Sequence, residues 1–133
     1  MKHKAAFHLQ LEQHLLVVTA NGVWTLNDAK EYVKAFRKLV QPITNNAWAI
    51  IMDASAWQLS PAEVFAVLQD NTRWCFERQL VMAITILPED QLLRWQFGKA
   101  TAINKPEGFI SEFTSDVATA RQMVQAAKVI EDY

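Results

Sequence analysis

At 133 residues, 51% hydrophobic and 20% charged, the chain has the size of one domain and enough apolar surface to offset the entropy of ordering, which excludes a disordered protein. Its 13 Lys plus Arg against 14 Asp plus Glu leave a formal charge of -1, without the positive field that phosphate-backbone binding requires, so no nucleic-acid partner is expected. The longest apolar run, Ala47 to Met52, falls far short of the roughly 20 residues that cross a bilayer, and a lone cysteine, Cys75, makes no internal disulfide, so a cytoplasmic protein that is not transmembrane is expected.

The basic start, Met1 to Lys4, leads into alternation rather than an apolar run, so no secretory signal is expected. Phe7, Leu9 and Leu11 alternate with His8, Gln10 and Glu12, the period of an edge strand with one wet face. Gln13-His14 turns the chain into Leu15 to Thr19, an antiparallel neighbour closed by Asn21-Gly22. Thr25 to Asp28 reads as a capping box, and Ala29, Tyr32, Val33, Phe36 and Val40 recur at helical spacing until Pro42. Trp48 to Met52 is continuously apolar, as in a buried parallel strand.

Ser60-Pro61-Ala62-Glu63 predicts a second helix starting at Pro61 with Ser60 as its N-cap. Its apolar face carries Val64, Phe65, Leu68, Thr72, Cys75 and Phe76 and fades near Arg78. Val81 to Leu87 is the next buried strand, and Pro88-Glu89-Asp90 opens a third helix with Leu92, Leu93, Phe97 and Ala100 inward, ending near Ile103. Gly108 to Phe113 is a short strand. Ser115 and Asp116 cap a last helix with Val117, Ala120, Val124 and Ala127 inward, and the tail after Val129 is expected to fray. Residues 1–133 thus form a single α/β domain: a mixed, mostly parallel sheet of about five strands, with an antiparallel edge hairpin and about four helices in two or three layers.

This order, together with Gly22, Thr25 to Asp28, Ile50 to Asp53, and Phe113 with Val117 and Ala118, resembles the STAS-like domains, specifically the SpoIIAA-like family of small bacterial proteins. The resemblance implies a non-enzymatic role, binding a protein partner or, by fold analogy, a lipid or other apolar ligand. It also implies a phosphorylatable serine at the start of the helix after the central strand. Leu59-Ser60-Pro61-Ala62 holds that place without the glycine and adjacent acidic residue of the antagonist motif, and Ser60 is expected to be unphosphorylated.

Ligands of open parallel sheets gather beyond the carboxyl ends of the strands, where Asp53, Ser55, Trp57, Ser60 and Glu89 are expected. Ser60 reads equally as a simple cap and Asp53 as a loop acceptor. An enzyme acting on a small polar substrate through Asp53, Ser55 and Ser60 is the alternative, disfavoured because His3, His8 and His14 all lie in the opening hairpin, away from any serine. Those histidines have no acidic or thiol partners at ligand spacing, so no metal is expected. The glycines, at 22, 98 and 108, form no phosphate loop, and no cofactor is expected. Cys75 lies mid-helix on an apolar face and reads as a core thiol. Of the five tryptophans, Trp57, Trp74 and Trp95 fall off the best apolar stripes; they either complete the core or, with Phe76, mark a partner, homodimer or ligand surface.

Overall fold

The computed structural model describes residues 5–58, 60–100 and 104–131. The alternating segments at the start form β1 (Phe7–Glu12) and β2 (Leu15–Gly22), paired antiparallel with Phe7 opposite Ala20 and Glu12 opposite Leu15. A two-residue hairpin turn of this kind favours a left-handed conformation, and Gln13 adopts it at φ 56°. The chain continues as α1 (Leu26–Val40), β3 (Trp48–Trp57), α2 (Ala62–Phe76), β4 (Leu80–Ile86), α3 (Gln91–Ala100), β5 (Ile110–Thr114) and α4 (Val117–Ala127). β2 to β5 are parallel neighbours, so the order of strands across the sheet equals their order in the chain.

Topology then sorts the layers. Three right-handed crossovers stepping the same way must lie on one face, and α1, α2 and α3 share a core there. Having no further strand to reach, α4 packs on the other face with Leu15, Ala49, Ile51, Ile84 and Ile86. The result is the expected mixed five-stranded sheet with an antiparallel edge pair, in three layers.

Local chemistry explains most boundaries. At α1 the Thr25 side chain accepts from the Asp28 N–H at 3.1 Å and the Asp28 carboxylate accepts from the Thr25 N–H at 2.9 Å. Pro42 follows in a 3-10 turn, Gln41–Ile43. Asp90 heads α3, its Oδ1 accepting from the N–H groups of Leu92 and Leu93. Asp116 caps α4; the Thr119 N–H it accepts holds its carboxyl below the usual carboxylate range. The left-handed Lys128 ends that helix.

α3 starts at Gln91 rather than at Pro88, with Asp90 ahead of it and not in its first turn, and four further expectations are corrected. β3 does not end at Met52 but runs on to Trp57, because Asn21 and Gly22 of β2 continue the ladder opposite Ala56 and Trp57 past a bulge. The second helix starts at Ala62, with Pro61 as an N-cap that makes no side-chain bond: the Ser60 hydroxyl turns away to accept from the Trp24 N–H and donate to the Gln58 carbonyl, each at 3.0 Å. Leu92, expected inward, is exposed. Ile130, expected to fray with the tail after Val129, is instead buried in the α4 core, and residues 132 and 133 lie outside the described residues. His3, Ile103 and the side chain of Ala100 lie outside what is described.

Candidate functional site

Along β4 the side chains alternate in size as well as in direction. Met82, Ile84 and Ile86 point to the α4 side, whereas the intervening Ala83 and Thr85 face α1 to α3. The register sets Ala83 between Ile50 of β3 and Ser111 of β5, and Thr85 between Met52 and Phe113. A patch of small side chains therefore lies in the sheet beneath helices whose inward residues are large and rigid: Tyr32, Phe36, Leu68, Phe76 and Phe97. Rings cannot bend down to meet an alanine or a serine, and an apolar cavity of about 130 Å³ is left between sheet and helices.

At one end the cavity is walled by Trp57 and Phe97, whose rings stand at 90° with centroids 5.7 Å apart. At the other, Phe76 and Phe109 make an edge contact at 4.9 Å. Exposed Lys105 and Phe113 lie at its rim. The polar atoms it meets are few. Thr72 donates its hydroxyl to the Leu68 carbonyl at 2.9 Å, and buried Asn71 accepts from the Arg37 Nε at 3.0 Å. The Cys75 thiol is pushed up to about 12 by burial, only partly offset by the Arg37 and Arg78 guanidinium groups, and it stays protonated. Burial likewise raises the Tyr32 hydroxyl, which remains neutral. Nothing charged and buried, and no activated nucleophile, lines the space among the described residues.

The six residues singled out from sequence scatter. Asp53 and Ser55 pair with each other, the Asp53 Oδ1 accepting from the Ser55 hydroxyl at 2.6 Å and from its N–H at 3.1 Å. Asp53 sits opposite Ile86 in the ladder, on the α4 side, and so cannot face the cavity. Ser60 is buried beneath Trp24. Trp74 is half-buried between two guanidinium groups, Arg78 at 4.4 Å and Arg37 at 4.9 Å from its ring centre. Trp95 is 58% exposed on α3, one turn from the exposed Leu92. Of the six, Trp57 alone lines the cavity. Sequence reasoning missed Ala83, Thr85, Ser111, Phe97 and Asn71, although the size alternation of Met82-Ala83-Ile84-Thr85-Ile86 was the signal for the first two. His8 and Glu89 are exposed, and no group of three or more metal-ligating side chains occurs among the described residues. No helix among them is long and apolar enough to cross a membrane.

No family model matches the sequence, and no curated protein matches it by sequence. Solved structures do match its fold. An uncharacterised protein of the DUF3478 family with a SpoIIAA-like fold, from Shewanella loihica, superposes with a TM-score of 0.66 at 14% identity, over 92% of this chain and 98% of its own. The anti-sigma factor antagonist SpoIIAA in its unphosphorylated form gives 0.61 at 10% identity, over 94% and 100%. An anti-sigma factor antagonist from Mycobacterium paratuberculosis gives 0.59 at 12% identity, over 94% and 99%. The fold is SpoIIAA-like, as the resemblance implied.

Proposed function

We propose that this is a non-enzymatic binding domain that takes a small, largely apolar ligand between the sheet and α2 and α3. The observation that carries the reading is the cavity of about 130 Å³ over Ala83, Thr85 and Ser111, close to the roughly 150 Å³ of an engineered apolar cavity that admits benzene. An enzymatic reading through Asp53, Ser55 and Ser60 has less support: Asp53 faces the other side of the sheet and Ser60 is bonded to the backbone of Trp24 and Gln58. Regulation by phosphate on Ser60 is disfavoured for the same reason, since its hydroxyl is buried and engaged.

Titration with α-methylstyrene, a one-ring hydrocarbon, followed in amide NMR spectra tests the reading. The amides of Ala83, Thr85, Ser111 and Phe97 are expected to shift together and saturably, and Ala83→Leu, which fills the floor, is expected to abolish the shifts while the fold is kept. Amides that stay still in the wild-type chain would overturn it.

A protein partner is the second reading, favoured by Leu92 and Trp95 standing exposed one turn apart on α3. The anti-sigma factor antagonists that share the fold point the same way. Under this reading Trp95→Ala abolishes association, of the chain with itself or with a partner, while leaving ligand titrations intact; association unchanged in the variant would remove it.

A further inference from the structure

We infer that the ligand of this cavity carries one neutral hydrogen-bond acceptor, received by the indole N–H of Trp57, on an apolar body about the size of a single substituted ring. The inference rests on the ligand-binding reading above and specifies the ligand class.

Three tryptophans are buried on this side of the sheet, and they differ in one respect. Trp24 donates its Nε1–H to the Ala6 carbonyl at 2.9 Å, and Trp48 donates to the Arg78 carbonyl at 2.6 Å. Trp57 is 2% exposed and its Nε1 is buried with no hydrogen-bond partner among the described residues. Its ring neighbours are Trp24, Phe65 and Phe97 at 6.1, 5.3 and 5.7 Å, none of which carries an oxygen acceptor. Buried donors are almost always paired, because an orphan forfeits its bond to water and receives nothing in return. Two buried side-chain atoms are left without a partner among the described residues: the Asn21 Oδ1, an acceptor at the end of β2, and this indole N–H, a donor on a tryptophan that lines the cavity as the satisfied Trp24 also does. An acceptor arriving with a ligand would make good the lost bond.

The acceptor's charge follows from its surroundings. A carboxylate beside Trp57 would be buried against one neutral donor and a wall of rings, which desolvation forbids, while the cationic Lys105 stands exposed at the rim. A ketone, ester or amide oxygen loses far less on leaving water. The cavity volume limits the body to about one ring.

Acetophenone and α-methylstyrene have the same shape and differ in C=O against C=CH2. Their dissociation constants are to be measured by NMR titration on the wild-type chain and on Trp57→Phe, which removes the N–H and keeps a ring. Taking the ratio of the two ligands within each protein and then comparing proteins cancels the ligands' own hydration. The preference for acetophenone is expected to be about tenfold greater in the wild type, the worth of one recovered hydrogen bond in a dry site. The Trp57 indole N–H resonance is expected to move downfield with acetophenone and not with α-methylstyrene.

A ratio unchanged by Trp57→Phe overturns the inference and leaves the binding reading standing, provided α-methylstyrene still binds. Failure of both ligands to bind the wild type overturns the binding reading and this inference with it. Should Trp57→Phe fail to fold, the wild-type indole resonance decides: equal shifts with both ligands overturn the inference, and a shift with acetophenone alone supports it.

Discussion

On the α4 side of the sheet, Leu15, Ala49, Ile51, Met82, Ile84 and Ile86 meet Ala120, Val124 and Ile130, and no aromatic residue joins them among the described residues. On the other side Trp24, Tyr32, Phe36, Trp48, Trp57 and Phe65 form a chain of ring contacts under three helices, with Phe7, Trp74, Phe76, Phe97 and Phe109 packed against it. Both faces are made from the same strands, alternate residue by residue. Branched aliphatic chains adjust their rotamers to fill one layer against a single helix. Rings turn only as rigid plates, and over Ala83 and Ser111 they leave a cavity. The two buried polar residues of the described core, Ser60 and Asn71, also belong to the aromatic side, where they bond Trp24 and Arg37.

A hole opened in the aliphatic face should destabilise the protein most. Ile51→Ala removes a fully buried side chain from this layer and is expected to cost about 3 kcal/mol in urea denaturation. A loss below about 1 kcal/mol would mean that the α4 face is as loosely packed as its opposite.

Ser60→Ala probes the aromatic side. It strips the acceptor from the buried Trp24 N–H and should cost about 2 kcal/mol. Hydrogen exchange separates this from the loss of a helix cap: the Trp24 amide should exchange faster while the first-turn amides of α2 keep their rates. Faster exchange confined to α2 would restore Ser60 as its cap.

The smallest effect is electrostatic and belongs to the α4 face. Both Arg121 Nη atoms donate to the Glu12 carboxylate, the Nη2 bond at 2.7 Å, which ties α4 to the end of β1. Hydrogen bonding to Arg121 holds the Glu12 carboxyl below the usual carboxylate range, with burial opposing it. Because the folded chain resists protonating this group, its contribution is complete above the ordinary carboxylate range and drains away as pH falls through the lowered folded value. Glu12→Gln should therefore be about 1 kcal/mol less stable than wild type at pH 7, a figure kept small because both side chains are partly exposed. The gap should narrow as pH drops below the carboxylate range; a gap independent of pH would show that the pair contributes nothing through charge.

Much of the architecture was legible along the chain because it depends on neighbours in sequence. The capping box at Thr25, the acidic cap Asp116, the alternation in β1 and the helical spacing of Ala29, Tyr32, Phe36 and Val40 are all local patterns, and they recur as expected. Expectations failed where a distant residue competed for a local one. Trp24, 36 positions earlier in the chain, claims the Ser60 hydroxyl that the local pattern assigned to α2. The end of β2 carries β3 five residues beyond Met52 and thereby turns Asp53 and Trp57 from loop residues into strand residues on opposite faces.

Hydrophobic period and caps act within a few residues, so the number, order and type of the elements, and with them the crossovers that put three helices on one face, follow from the chain read locally. It takes the packed molecule to set Ala83 and Ser111 side by side beneath Phe76, Phe97 and Trp57, and to leave one of three buried indoles without an acceptor among the described residues. Cavities and orphaned donors are shortfalls in packing between segments far apart in the chain. They arise only when register and helix placement bring small residues under large ones, and no local pattern records that.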